Sequence, residues 1–138
     1  MANTGYVWSA YSAVQKSAGD WTSDAIADNA TETGDATSID GKAAAVISIT
    51  AVEDNTGVID DDVTVWILGD IDGTNFEETT IGNPYSVAFT PIQDDAVRIL
   101  IPVDPRIYKN FKVAIRNKGG QEVVFSVKIA TATIPVAS

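Results

Sequence analysis

Apolar and polar residues alternate with a period of two along most of the chain from Lys42 onward, which is the pattern of half-buried strands. Ala43 to Val52 places Ala45, Ile47, Ile49 and Ala51 on one face and Ser48 and Thr50 on the other. Val63 to Leu68 predicts a second strand, and Tyr85 to Thr90 a third, with Tyr85, Val87 and Phe89 in alternation. Val97 to Val103 predicts a fourth, ending about Pro102 and Pro105. Phe111 to Arg116 alternates apolar and basic residues, and Glu122 to Ala130 is expected to pair back across the turn Asn117-Lys118-Gly119-Gly120. Turns are also expected at Glu53 to Gly57 and at Asp70 to Asn75, which leads to Phe76. In the second of these, Asp72-Gly73 can take up positive φ. A last apolar stretch, Ile134 to Ala137, is expected to close a sheet edge.

The first 41 residues are patterned differently. Residues 1–15, with Tyr6, Trp8 and Tyr11, alternate only loosely and predict a strand or an extended arm. Residues 16–41 are polar, and Asp20, Asp24, Asp28 and Glu32 fall four apart; on a helix they would stack like charges in one stripe. The reading is a long irregular segment with one short strand, a helix being the alternative. The whole predicts one domain: an N-terminal arm and acidic segment (1–41), then a sandwich core (42–138). Strands at intervals of roughly 8–15 residues, with no amphipathic helix after residue 41, give an all-β, antiparallel β-sandwich of jelly-roll-like topology.

Composition narrows the function. The chain has 138 residues, enough for one domain with a full core. It has no cysteine and no histidine, which removes disulfides, thiolate chemistry, imidazole metal sites and the Ser-His-Asp arrangement. A formal charge of −10 argues against a nucleic-acid partner. The apolar runs are too short to cross a bilayer as helices, so no membrane partner is expected. The first residues carry neither a basic stretch nor a long apolar run, so no secretory signal is expected, and Asn29-Ala30-Thr31 is read as a chance glycosylation match. No cofactor and no catalytic residue is expected. The acids stand in turn signals, where aspartate caps local backbone, and nothing marks the pair that glycoside hydrolysis requires.

Three groups of side chains remain as candidates. Asp70, Asp72, Asn75 and Glu77 crowd oxygen ligands around one turn, a candidate calcium site against the plainer reading of an acidic turn. Among the aromatics, Trp66 lies within a strong strand and is assigned to the core, whereas Tyr6, Trp8, Tyr11 and Trp21 lie in weakly patterned sequence and are candidate partner contacts. The charge is also polar along the chain. Residues 1–95 hold 17 acids and 2 bases, and residues 96–138 hold 2 acids and 7 bases. Arg106, Lys109, Lys112 and Arg116, in the basic third, are candidates for facing the acidic part of a neighbouring copy.

The strand Val63 to Leu68 followed by Asp72-Gly73-Thr74-Asn75-Phe76, and the later run Tyr108-x-x-Phe111-Lys112-Val113-Ala114-Ile115-Arg116-Asn117, resemble two groups of jelly-roll proteins. One is the galactose-binding-like carbohydrate binders; the other is the small β-sandwich virion proteins of tailed bacteriophages, which include capsid decoration (cement) proteins and fibre subunits. The resemblance covers roughly residues 36–130. The acidic chain, free of cysteine and histidine and lacking a mappable sugar-facing Arg/Trp cluster, tilts it to the phage group. That implies a non-enzymatic virion protein that binds a major capsid protein as a homo-oligomer, with a trimer favoured. A carbohydrate-binding module or fibre subunit is the alternative.

Overall fold

The computed structural model describes residues 5–16, 19–52, 62–92 and 95–134, and among them it contains strands and no α-helix. Six long strands carry the fold: β8 (Ala44–Val52), β9 (Val63–Gly69), β10 (Tyr85–Phe89), β11 (Ala96–Val103), β12 (Asn110–Asn117) and β13 (Val123–Thr133). They fall where the period-two pattern predicts them. Seven short ones precede them: β1 (Val7–Trp8), β2 (Ser12–Ala13), β3 (Gln15–Lys16), β4 (Gly19–Asp20), β5 (Asp24–Ile26), β6 (Thr31–Thr33) and β7 (Thr37–Ser38).

All pairings are antiparallel. One sheet runs β1–β13–β8–β11, with β2 and β5 following β1 along the edge of β13 that β8 leaves free. The other runs β10–β9–β12–β6, with β7 also on β12, while β3 and β4 pair with each other. Taking β1, β2 and β5 as one broken strand and β6 and β7 as another, each sheet is four strands wide. The chain then passes between the sheets in the order of an eight-stranded jelly roll.

The facing sides of the two sheets make the core. Register sets Ile47 between Ile101 and Ile129, and Ala51 between Val97 and Phe125. In the opposite sheet Val65 lies between Val87 and Ile115, and Ile67 between Tyr85 and Val113. Residues two apart along each strand point the same way, so β8 and β12 each bury one face, whereas β10, at the edge of its sheet, has no fully buried residue.

The segment before residue 41 is extended, as expected, but it lies along its own sandwich and supplies the first two strand positions of the roll. Five short strands, β3 to β7, stand where one was expected. Each pairs over only two or three residues, too short for a periodic pattern to show. Val14, Trp21, Ile26 and Ile39 from this segment are buried in the shared core. The acids spaced four apart do not stack: Asp24 on β5 and Glu32 on β6 converge from opposite sheets on the Lys16 ammonium, 2.6 Å from Asp24. Burial alone would lower the pKa of Lys16, but the hydrogen bonds and charges of these two carboxylates outweigh it and hold it above its ordinary value. The turn expected at 53–57 and the apolar stretch beyond Ile134 lie outside the described residues; Ile134 itself is exposed and belongs to no strand.

Candidate functional site: an apolar groove on the six-stranded sheet

The outward face of the six-stranded sheet is built in rows by its register. Trp8, Ala132 and Ala44 form one row, and Ala130, Val46 and Pro102 the next. Ala13, Lys128, Ser48 and Leu100 form the third, and Ser126, Thr50 and Arg98 the fourth. Directly paired residues point to the same side, so the small side chains of Ala44, Val46 and Ala130 make a floor. Trp8 and Tyr11 wall it on one side, and Leu100 and Pro102 on the other, enclosing a groove of about 580 Å³. A second hollow shares Ala44, Ala45 and Pro102 with it and continues past Tyr6 to Pro105 and Arg106. The Tyr6 ring meets Trp8 edge-on at 6.4 Å. Ser9 fixes this wall to β13, its backbone N–H donating to the Thr131 carbonyl (2.8 Å) and its hydroxyl accepting from the Thr131 N–H (3.0 Å).

This face departs from the charge of the molecule as a whole. None of its outward strand positions is acidic, and two of them, Arg98 and Lys128, are basic. At the far end Asp104 is bridged by Arg106 at 2.9 Å, and the side-chain and backbone hydrogen bonds from Arg106 hold its carboxyl below the usual range. Of the eight contact candidates from the sequence, four (Tyr6, Trp8, Tyr11 and Arg106) come together here.

The other four lie elsewhere. Trp21 is fully buried in the core, so it presents no surface to a partner. Lys112 and Arg116 sit on the outward face of the five-stranded sheet, the Lys112 ammonium 4.6 Å over Phe76 and the Arg116 guanidinium 5.4 Å over Trp66. Trp66 is thus buried, but under Arg116 on the outside of its sheet, in a cluster with Leu68 and Ala114. Lys109 is exposed just before β12. The basic third of the sequence is therefore divided between both faces, because alternate strands of a jelly roll belong to opposite sheets. Sequence reasoning missed Leu100, Pro102 and Val46 as groove residues. Their signal was present: β11 stays apolar through Ile99, Leu100 and Ile101, where a solvent-facing position would be polar.

The acidic turn after β9 uses its oxygens internally. Asp70 Oδ1 accepts from the N–H groups of Asp72 (3.2 Å) and Gly73 (2.6 Å). Asp72 Oδ1 accepts from Thr74 and Asn75 (3.0 and 2.7 Å), Asp72 Oδ2 from Asn75 Nδ2 (2.8 Å), and Glu77 Oε1 from Gly69 N–H (2.9 Å). No three acidic groups among the described residues are grouped to hold a metal ion. Adding calcium, followed by EDTA, is expected to leave the melting temperature unchanged; a reversible rise would restore the metal reading. The Asn75 side-chain and backbone donors, with Thr74, hold the Asp72 carboxyl below its ordinary value. Its contribution is therefore present above the unfolded carboxylate pKa and lost as pH falls through the lower folded value. The amide resonances of Thr74 and Asn75 are expected to shift together below about pH 4, the ordinary aspartate range.

No protein-family model matches this chain, and no curated protein matches it. Among solved structures, it is similar to the CBM22-1–GH10 modules of Clostridium thermocellum endo-1,4-β-D-xylanase 10B complexed with xylohexaose. The TM-score is 0.53 at 14% identity, over 99% of this chain and 28% of that one. It is also similar to part of tripeptidyl peptidase 2, with a TM-score of 0.51 at 8% identity over 88% of this chain and 10% of that one. A pilus protein of Bacillus endospore appendages matches at a TM-score of 0.44 and 12% identity, over 98% of this chain and 96% of that one. The chain spans 28% or less of the first two, and the likeness is one of fold: an antiparallel β-sandwich.

Proposed function

We propose that this chain is a non-catalytic β-sandwich module that works by contact, as a structural protein of a tailed-phage particle that decorates and cements the capsid. The observation that carries this reading is the groove on the six-stranded sheet: an apolar floor, an aromatic wall and no acidic strand position, on a chain of charge −10. Exposed Trp and Tyr beside apolar residues are the side chains that dominate protein contacts. A protein that binds the assembled shell and not its free subunits shifts the equilibrium toward the shell by mass action.

A carbohydrate ligand is the second reading, favoured by the row of three exposed aromatics and by the fold shared with a xylanase structure that holds xylohexaose. Against it stands the lining: sugar sites add convergent polar groups to their aromatics, and here Ser9 is the one polar side chain of the groove besides those aromatics. Cosedimentation with purified phage heads tests the choice. Trp8→Ala/Tyr11→Ala is expected to weaken capsid binding by roughly 30-fold or more, as for two hot-spot aromatics. Tryptophan fluorescence that responds to xylohexaose, with no capsid binding, would overturn the structural reading.

A further inference from the structure

The geometry points to a second copy of this chain as the protein surface that enters the groove, through the tip of the β9–β10 connection. This rests on the reading of the groove as a protein-docking surface and adds a second copy as an occupant that competes there with the capsid. The tip is residues 70–83. Ile71 and Ile81, 68% and 66% exposed, both line one shallow hollow as two apolar prongs. Asp72 and Glu78, both exposed, flank them. The tip is thus apolar with an acidic fringe. The groove is the inverse: an apolar floor between Trp8 and Leu100, fringed by Arg98 and Lys128.

The two surfaces match in both hydrophobicity and charge sign, which aligns partners and suppresses wrong ones. They do not meet within one chain, since the tip and the groove share no lining residue and belong to opposite sheets. A contact between two different patches of identical chains is heterologous, and it closes into a ring or extends as a filament. The division of charge along the sequence then has a spatial counterpart: the acidic tip comes from residues before 95 and the two cations from residues after it.

Light scattering and sedimentation velocity on the full chain test this with two exposed-site variants. One, Trp8→Ser/Leu100→Ser, disables the groove; the other, Ile71→Ser/Ile81→Ser, disables the tip. Circular dichroism and thermal melting establish that each remains folded. The wild-type protein is expected to associate, each variant to associate at least tenfold more weakly, and association of the wild type to weaken as salt is raised. An equimolar mixture of the two variants is expected to give heterodimers and nothing larger, because each pair keeps one intact groove and one intact tip. A monomeric wild type, variants that assemble as the wild type does, or a mixture that stays monomeric would each overturn the inference. A monomer that still cosediments with phage heads through Trp8 and Tyr11 overturns this inference alone. The tip variant Ile71→Ser/Ile81→Ser keeps its groove free; if it ignores heads while the wild type assembles, the capsid reading is overturned and this one stands.

Discussion

Trp21→Ala is expected to destabilise the protein by about 3–5 kcal/mol, as for removal of a large buried aromatic, out of a typical total of about 5–15 kcal/mol. Trp21 is fully buried, and its backbone joins two parts of the fold: its N–H donates to the Val14 carbonyl (2.7 Å) and its carbonyl accepts from Val127 (3.0 Å). The Lys16 ammonium sits 5.0 Å from the ring centroid, so the clip between the sheets loses its platform as well. Gly34 packs flat on the same ring. A Cβ there would lie 3.1 Å from two indole carbons and 3.2 Å from the Gln15 carbonyl, so Gly34→Ala is expected to cost about 1–3 kcal/mol by overpacking. Among the described residues the indole N–H has no hydrogen-bond partner, and the expected loss at Trp21 is one of buried volume. Urea unfolding monitored by circular dichroism measures it. Trp8→Ala, at an exposed site, is the control and should change stability by no more than about 0.5 kcal/mol. Equal effects at the two tryptophans would show that residues before 41 do not share the core.

Asn117 is expected to be the most sensitive polar position, at about 2–4 kcal/mol for Asn117→Ala, the cost of leaving several buried groups unpaired. It is the one buried polar side chain among the described residues. Its Nδ2 donates to the carbonyls of Ile26 (2.9 Å) and Gln121 (2.7 Å), and its Oδ1 accepts from Gly119 N–H (2.9 Å). Its backbone donates to Ala30 and accepts from Asn29. One amide therefore ties β12, the following turn and the β5–β6 connection together, on the inward row beside Val63. Asn117→Asp keeps the shape but sets a carboxylate oxygen against two carbonyl oxygens. Burial and that repulsion raise the folded pKa of the introduced acid above its unfolded value. The variant should be least impaired in acid and lose further stability as pH rises through the folded pKa, the reverse of an ordinary acid transition. Denaturant midpoints across pH, relative to the wild type, measure the slope; no added slope would show that the site is open to water.

The long strands were legible because an alternating or continuous apolar pattern runs over five or more residues in each, as in Ala45, Ile47, Ile49 and Ala51. The first two strand positions of the roll were not. β1, β2 and β5 are fragments of two or three residues borrowing one edge of β13, and what places them is pairing with a strand about 100–125 residues away. The wrong assignment of Trp21 follows directly, since a buried tryptophan between fragments has no periodic neighbours to mark it. Half of the groove was legible as a cluster of exposed aromatics. The other half, Val46, Leu100 and Pro102, lies on outward faces that also carry Ser48, Thr50 and Arg98, and periodicity assigns such a mixed face to solvent without marking its apolar end. The cations Lys112 and Arg116 were assigned to a common surface because they are close in sequence to Arg106, whereas the crossing between sheets sets them apart.

Val7 pairs with Thr133, and β8 pairs only with β11 and β13, both synthesised after it. On a ribosome making roughly 5–20 residues per second, the earliest strands wait on the order of ten seconds for β13. Through that interval β8 is an apolar ribbon with two open edges, the form of chain that pairs wrongly with its neighbours. The emerging polypeptide then consists of the section with 17 acids and 2 bases, and its self-repulsion keeps nascent copies apart. The basic residues arrive with the strands that close the sheet, when the open edges of β8 are covered.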